Sequence, residues 1–239
     1  MSVPGHDGNG TEFPSIDVVW TPQWYEKAKE YWSAQDASIN GVLGGYGNLH
    51  PVDVSGSESF LLQATRGVGN EVAADCGAGV GRIAQFVLAK RFAKIDLIEP
   101  CEKLLVQAKI DLAKTVFPST TEVSFVCAPL QEWKPAKAHY DLLWHQWVLL
   151  YLTDVDCVAY LVRCRESLKP NGVICVKENV SMADGQFLLD VDDNSVTRTL
   201  EQYLGIFEKA GLRVKLQMRQ PRWPAHLFPV LMFALVATT

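Results

Sequence analysis

The sequence lacks the features that would direct it to a membrane, to secretion or to nucleic acid. Its longest apolar run, near residues 230–237, is far shorter than a bilayer span requires. The first twenty residues contain no basic stretch followed by an apolar core, so secretion is not expected. Because the net charge is −5 and no more than two basic residues are consecutive, double-stranded nucleic acid is not expected as a partner.

The cysteine spacing argues against two further classes of protein. The six cysteines include no C-x-x-C pair, so neither a metal cluster nor a disulfide framework is expected. They fit buried thiols in a reducing compartment, which predicts a cytoplasmic or nuclear location, or both. The hydrophobic content of 48% is ordinary for a globular protein. The composition therefore predicts a globular domain without metal.

A glycine-rich turn lies between an apolar strand and an amphipathic segment. Asp75 ends the predicted strand, and three glycines follow at alternate positions: Gly77, Gly79 and Gly81. A nicotinamide-binding G-x-G-x-x-G turn counted from Gly77 would need glycine at position 82, where the chain has Arg82. The spacing matches instead the Asp/Glu-x-Gly-x-Gly-x-Gly turn of S-adenosylmethionine-dependent methyltransferases. It favours a methyl donor over a nicotinamide cofactor.

Two further positions fit a donor that contains a nucleoside. Glu99 stands at the carboxyl end of the second predicted strand, where α/β proteins use an acid to accept hydrogen bonds from ribose hydroxyls. Leu130 and Gln131 follow the third strand and offer another contact. A solvated glutamate at a strand end and an ordinary loop glutamine are the alternative interpretations. The glycine turn nearby favours the binding role for Glu99.

The order of periodic segments predicts an α/β fold with a doubly wound, Rossmann-like sheet of seven mostly parallel strands. Helical patterns separate the strands at residues 82–92, 102–114 and 153–168, and a further helix is predicted over 195–210. The final two strands should form an antiparallel pair. The predicted strands lie near residues 72–75, 95–99, 123–127, 140–144, 172–177, 213–220 and 231–236.

The chain is predicted to form one domain behind a short tail. Residues 1–20 are rich in Gly, Asn, Pro and Ser, and are expected to be flexible. Residues 21–239 then form a single domain, in which residues 21–68 supply N-terminal helices and a glycine-rich lid. Residues 69–239 supply the donor-binding sheet and an insert that binds substrate.

Four segments beyond the glycine turn carry a distinctive pattern: L-G-G-Y-G at residues 43–47, W-H-Q-W-V at 144–148, K-E-N at 177–179 and D-V-D-D-N-S-V at 190–196. Together they resemble the eukaryotic protein α-N-terminal methyltransferases over roughly residues 24–236. The resemblance implies methyl transfer from S-adenosylmethionine, with S-adenosylhomocysteine as product. It also implies protein or peptide partners whose exposed N-terminus begins X-Pro-Lys or X-Pro-Arg, and a monomeric enzyme that acts on neither nucleic acid nor membranes.

The resemblance assigns roles to individual residues. The acid matching Asp193 serves as general base, the acid matching Asp190 binds the basic third residue of the substrate, and Tyr151 stands at a catalytic position. The expected donor contacts are Gly77, Gly79, Arg82, Glu99, Pro100, Leu130, Gln131 and Gln146. The expected substrate contacts are Leu43, Leu49, Trp147, Asn179, Asp190, Asp193 and Phe228, with Asn179 also counted as catalytic.

A base beside the substrate amine makes chemical sense. An α-amino group has a pKa of about 7.7–8.0, so much of it is protonated near neutral pH and cannot act as a nucleophile. A carboxylate next to the amine attracts the ammonium form and then accepts a proton. The alternative for residues 193–195 is that they only cap the predicted helix that follows.

Three positions depart from the family pattern. Tyr151 stands where family members carry a histidine that assists proton removal, and a tyrosine of ordinary pKa (about 10) accepts no proton near neutrality. Phe228 replaces a tyrosine of the substrate groove, and Glu99 replaces an aspartate. His145 is another possible base, but strand alternation should turn its ring away from Gln146.

Two other functions are compatible with the same motifs. One is a small-molecule or side-chain N-methyltransferase of the same fold, against which the acids at 190–193 argue because they suit a cationic peptide. The other is a catalytically silent protein that only binds the donor, for which the loss of histidine at position 151 is the only support.

Overall fold

The computed structural model describes residues 3–115, 121–183 and 185–238. In these residues no helix is both long and apolar enough to cross a bilayer. The helices are α1 Trp24–Ala34, α2 Ile39–Val42, α3 His50–Ala64, α4 Arg82–Phe86, α5 Glu102–Ala113, α6 Asp154–Ser167 and α7 Leu200–Lys209. The strands are β1 Gly5–Asp7, β2 Glu12–Phe13, β3 Val72–Cys76, β4 Lys94–Ile98, β5 Glu122–Val126, β6 Tyr140–Gln146, β7 Leu168–Asn179, β8 Phe187–Asp190, β9 Ser195–Thr197, β10 Leu212–Arg219 and β11 Val230–Ala237.

The larger sheet has seven strands in the order β10-β11-β7-β6-β3-β4-β5. Five neighbouring strands are mutually parallel: β7, β6, β3, β4 and β5. Strand β11 pairs antiparallel with both β7 and β10. The predicted seven-stranded, doubly wound α/β fold is thereby confirmed. The strand order reverses between β3 and β6, and open α/β sheets bind ligands at such a point, beyond the carboxyl ends of the strands.

Helices cover both faces of this sheet, so its central strands are apolar on both sides. The side chains of strand β6 alternate between the two faces of the sheet. Leu142 and Trp144 pack on one face, against α3, α4 and α5, whereas Leu143 packs on the other, against α6 and α7. The two buried layers hold the strand ends in place. The residues that follow those ends therefore project from a rigid edge.

A second, four-stranded sheet in the order β2-β1-β8-β9 differs from the tail predicted over residues 1–20. In the structure β1 pairs with β8, and a 3₁₀ turn, Ile16–Val19, packs into a small core with Phe187 and Val196. The strands in this segment are only two or three residues long, too short for a periodic signal. Contacts with the β8–β9 hairpin, which lies far away in the sequence, hold this segment in place.

The helix predicted over 195–210 begins later than expected. Ser195–Thr197 forms β9, and α7 starts at Leu200 behind a capping box in which the Thr199 side chain accepts a hydrogen bond from the Gln202 N–H. The interpretation of residues 193–195 as a helix cap is therefore wrong. Asp193 lies instead in the turn between β8 and β9, where Asn194 has a positive φ of 54°.

Candidate active site

A cleft of about 1140 Å³ opens along the carboxyl edge of the larger sheet. Every residue that the sequence predicted for donor or substrate lines it. These residues are Leu43, Leu49, Gly77, Gly79, Arg82, Glu99, Pro100, Leu130, Gln131, Gln146, Trp147, Tyr151, Asn179, Asp190, Asp193 and Phe228. They come from strand ends, from the segment between α2 and α3, and from the β8–β9 hairpin. The fold thus brings the distant motifs to one site.

The glycine turn after β3 is built from backbone conformations that favour glycine. Gly77 and Gly79 have positive φ values of 75° and 54°. A Cβ at Gly77 would stand 2.5 Å from the Val148 side chain, whereas one at Gly79 would meet nothing closer than Val42 at 3.4 Å. Gly77 therefore serves close packing against the loop after β6. Gly79 leaves its backbone open toward the cleft.

Glu99 is held beside this turn by two backbone donors. Its carboxylate oxygens accept hydrogen bonds from the N–H groups of Gly79 at 2.9 Å and Cys101 at 2.8 Å. Only 6% of Glu99 is exposed, and this burial raises the pKa of its carboxyl to about 7. The acid is thus oriented before any ligand arrives. A carboxylate fixed beside an open glycine backbone fits the ribose end of S-adenosylmethionine.

A buried charge network, which the sequence did not predict, lies next to the donor turn. Its centre is Asp53 on α3, which is fully buried. The Asp53 carboxylate accepts from Arg82 Nη1 at 2.5 Å, from Lys177 Nζ at 2.5 Å and from Gln146 Nε2 at 2.8 Å. The network ties α3 to α4, β6 and β7. Because its members lie far apart in the sequence, no local pattern revealed it.

The network carries an excess of positive charge where Arg82 lines the cleft. Burial opposes ionisation of Asp53, but the charges of Arg82 and Lys177 lower its pKa to about 2. Burial lowers the pKa of Lys177 to about 8, against the attraction of Asp53. Two cations thus share one carboxylate. The remaining positive charge suits the carboxylate of the methionyl part of the donor.

The expected base, Asp193, is paired with Tyr151. The tyrosine hydroxyl donates to Asp193 Oδ2 at 2.8 Å, and Trp24 Nε1 donates to the Tyr151 carbonyl at 2.7 Å. Burial, followed by the charge of Asp193, raises the pKa of Tyr151 well above its ordinary value. Tyr151 therefore stays protonated and acts as a hydrogen-bond donor. It orients the acid and cannot itself accept a proton near neutral pH.

Asp193 itself is suited to accept a proton. Burial raises the pKa of its carboxyl above the ordinary value, and the hydrogen bond from Tyr151 opposes this rise. Ser195 also opposes the rise in pKa, but no residue that the structure describes donates a hydrogen bond of good geometry to the buried Oδ1. A buried carboxylate oxygen without a partner is costly, so a ligand N–H at this position would be strongly favoured.

Trp147 and Asn179 form the wall between the donor turn and the acid. Trp147 Nε1 donates to Asn179 Oδ1 at 3.1 Å, which orients both side chains. The Arg82 guanidinium lies 5.3 Å from the indole centroid, and the Lys177 ammonium lies 5.9 Å from it. Trp223 packs against Trp147 with 6.0 Å between centroids. Sequence reasoning missed Trp223 because it lies in the loop between β10 and β11.

The outer part of the cleft is more exposed. Asp190 is exposed at the end of β8, where its Oδ1 accepts from the Asp192 N–H at 2.9 Å. Phe228 is 43% exposed in the loop before β11. Leu43 and Leu49 flank the glycine-rich segment between α2 and α3. These residues form a charged and apolar entrance around the half-buried Asp193.

His145 lies away from this chemistry. It is fully buried, with Nδ1 3.2 Å from the Cys175 carbonyl and Nε2 2.9 Å from the Tyr160 hydroxyl. Since a carbonyl only accepts, Nδ1 carries the hydrogen and Nε2 accepts from the tyrosine. Burial lowers the pKa of His145 to about 4. Strand alternation therefore turns this ring into the core, as the sequence predicted.

The chain is similar to known methyltransferases in both sequence and structure. Residues 21–236 match a family described as AdoMet dependent proline di-methyltransferase. The chain is 43% identical to alpha N-terminal protein methyltransferase 1 of Schizosaccharomyces pombe, over 90% of this chain and 96% of that protein. It is 38% identical to human N-terminal Xaa-Pro-Lys N-methyltransferase 1, over 89% and 95% respectively. The solved structure of a SAM-dependent methyltransferase from Leishmania major superposes with a TM-score of 0.90 at 38% identity, covering 98% of this chain and 96% of that one.

Proposed function

The chain belongs to the AdoMet-dependent proline dimethyltransferase family, and we propose that it methylates the α-amino group of proteins whose N-terminus reads Xaa-Pro-Lys or Xaa-Pro-Arg. The family resemblance predicted from the sequence is confirmed by this membership. One observation carries the choice of substrate. The half-buried Asp193 lies inside a cleft whose entrance holds a second acid, Asp190, and this arrangement suits a peptide with a terminal ammonium and a basic third residue.

The residues of the cleft have different roles in the proposed reaction. The donor turn, Glu99 and Arg82 would hold S-adenosylmethionine, which supplies an electrophilic methyl group and leaves as S-adenosylhomocysteine. Asp193 accepts a proton from the substrate ammonium, and the nitrogen lone pair then forms the new N–C bond as the methyl–sulfur bond breaks. Tyr151 holds the acid by its 2.8 Å hydrogen bond. Alignment of the two reactants accounts for much of the rate, because no further covalent chemistry is needed.

The wall residues fit the second position of the substrate. The Trp147 indole is held by its bond to Asn179 and offers a flat surface to a proline ring. The amide of Asn179 lies where it can meet the first peptide group. A small-molecule methyltransferase would not need an acidic hairpin at the entrance, so the peptide substrate is the better account of residues 190–193.

The cysteines bear on the cellular compartment in which the enzyme works. All six cysteines are free, and five of them are buried, as suits a protein that works in a reducing compartment. We therefore expect action in the cytoplasm or the nucleus. We also expect residues 21–239 to act as one domain and the enzyme to be a monomer.

A labelling experiment tests the proposal. The protein is incubated with methyl-labelled donor and an Xaa-Pro-Lys peptide, and in parallel with the same peptide acetylated at its N-terminus. Label should enter only the free peptide, and mass spectrometry of the fragments should place it on the first residue. Equal labelling of the acetylated peptide would show that a side chain is the acceptor and would overturn the proposal.

A further inference from the structure

The N-terminal segment precedes the stretch that matches the family description, and it contributes Gly8 and Asn9 to the lining of the cleft. The family match begins at residue 21, whereas β1 begins at residue 5. Strand β1 adds to the edge of β8, the strand that ends in Asp190. The segment thus extends the sheet on which the expected reader of the third substrate residue is mounted.

The register of this pairing sets which residues share a face. Asp7 lies opposite Leu189 in the parallel pair, so the next residue, Gly8, continues toward Asp190. Side chains alternate along β8, with Phe187 and Leu189 buried and Asp190 exposed. Gly8 therefore comes next to the exposed acid, on the side that faces the cleft.

The turn that follows β1 is rigid and open to the cleft. Asp7 Oδ1 accepts hydrogen bonds from the N–H groups of Asn9 at 2.9 Å and Thr11 at 2.8 Å, which fixes the turn. Gly8 and Asn9 both line the cleft. A Cβ added at Gly8 would meet nothing within 4 Å, so the backbone at this position is accessible to a ligand.

Close packing holds β1 to β8. A Cβ at Gly5 would stand 2.5 Å from the Phe187 ring and the Phe187 carbonyl oxygen. Phe13 of β2 stacks on the same ring with 6.4 Å between centroids. The N-terminal hairpin therefore depends on a glycine at position 5. A larger residue there would push β1 away from the hairpin that carries the acids.

The direction of the substrate brings its later residues to this turn. With the amine at the half-buried Asp193 and the third residue at the exposed Asp190, the substrate chain must leave the cleft past the end of β8. An extended peptide advances about 3.3 Å per residue, and neighbouring strands lie about 4.8 Å apart. The fourth and fifth residues therefore pass within reach of Gly8 and Asn9.

We propose that the turn at residues 7–10 binds the substrate backbone beyond the third residue, so that this chain recognises a longer N-terminus than Xaa-Pro-Lys alone. The inference rests on the proposed function. Gly8 offers backbone groups and Asn9 offers an amide, and both suit hydrogen bonds to an extended peptide of any sequence. The gain in kcat/KM should depend on peptide length more than on the identity of the later side chains.

The test compares two amidated peptides, an Xaa-Pro-Lys tripeptide and an octapeptide with the same first three residues. The parent enzyme should show a kcat/KM roughly tenfold higher for the octapeptide, equivalent to one or two net hydrogen bonds. Gly5→Val should remove this preference while leaving tripeptide kcat/KM and donor Kd unchanged. The matched control is Gly205→Val on α7, where an added Cβ meets nothing within 4 Å.

A milder variant keeps the test decisive if Gly5→Val fails to fold. Asn9→Ala removes an exposed amide but keeps the N–H that Asp7 accepts, so the turn should persist. It should reduce the octapeptide preference about threefold, through a higher KM at unchanged kcat. Equal rates on both peptides in the parent, or a full preference in Asn9→Ala, would overturn the inference. No labelling of either peptide would instead overturn the proposed function.

Discussion

The donor half and the substrate half of the cleft are built differently. In the donor half, Glu99 is almost completely buried and bonded to two backbone N–H groups of nearby residues. In the substrate half, Asp193 is held by the side chain of Tyr151, which comes from another part of the chain, and Asp190 is exposed. Backbone N–H groups hold the acid of the first half, and one of them, that of Gly79, lies 20 residues away in the sequence. The acid of the second half depends on a side-chain hydrogen bond from Tyr151, which a substitution can remove.

The difference has a kinetic consequence. Damage to the donor half should lower donor affinity and leave the pH dependence of proton removal alone. Damage to the substrate half should change kcat or peptide KM and leave donor affinity alone.

Asp193→Asn should have the largest effect. The variant loses the proposed general base, and general bases contribute about 10²–10⁴-fold to the rate. We expect kcat on an Xaa-Pro-Lys peptide to fall by that factor, with donor Kd from calorimetry and thermal stability close to the parent. Asp17→Asn, at an exposed position that is not among the cleft residues, is the matched control. A near-normal Asp193→Asn enzyme would refute the base assignment.

Glu99→Ala should come next and should act on the donor alone. The lost charge-assisted hydrogen bonds to the ribose are worth roughly 1.5–3 kcal/mol each, so donor Kd should rise at least about tenfold. Glu102→Ala, at an exposed position on α5, serves as the control. Unchanged donor affinity in calorimetry would rule out Glu99 as a donor contact.

The pKa of Glu99 adds a pH test of the same contact. Burial raises it to about 7, and the ionised carboxylate is the better acceptor for hydroxyl groups. Donor affinity should therefore weaken as the pH falls through about 7 and level off above it. Glu99→Gln, which does not titrate, should flatten this profile. A profile of the same shape in both proteins would assign the titration to another group.

A smaller effect is expected at Asp190, because it is an exposed charge. Replacing lysine by glutamine at the third peptide position should raise KM several-fold for the parent enzyme. This corresponds to a loss of about 1 kcal/mol of binding free energy. In Asp190→Asn the same peptide change should matter much less, since both changes remove one interaction. Equal penalties in the two enzymes would show that another group reads the basic residue.

Tyr151→Phe should have the smallest effect at its optimum pH, because only one hydrogen bond is lost. That bond lowers the pKa of Asp193, so its removal raises the pKa. The acid limb of the kcat profile should therefore move to higher pH, with the largest loss at low pH and recovery as the pH rises. An inactive Tyr151→Phe enzyme at every pH would mean that the tyrosine takes a direct part in proton transfer.

The donor half was predictable because its signals are local. Asp75 lies near the end of β3, the alternating glycines follow that strand and Glu99 follows β4, and both strands could be recognised from their own residues. Parallel strands place their carboxyl ends at one edge, so these residues had to meet. The order of strands and helices was predictable for the same reason, since hydrophobic periodicity belongs to each segment by itself.

The surroundings of the predicted residues were decided by the tertiary structure. No local pattern joined Asp53 to Lys177 or showed that Tyr151 donates to Asp193, because these contacts span long separations in the sequence. The N-terminal strand is too short to show a period, and it is ordered only because the apolar side of β8 lies beside it. The sequence alone thus determined which chemical groups are available and which strand ends carry them. Packing between distant segments determined which of those groups touch, and hence that Tyr151 donates a hydrogen bond to Asp193.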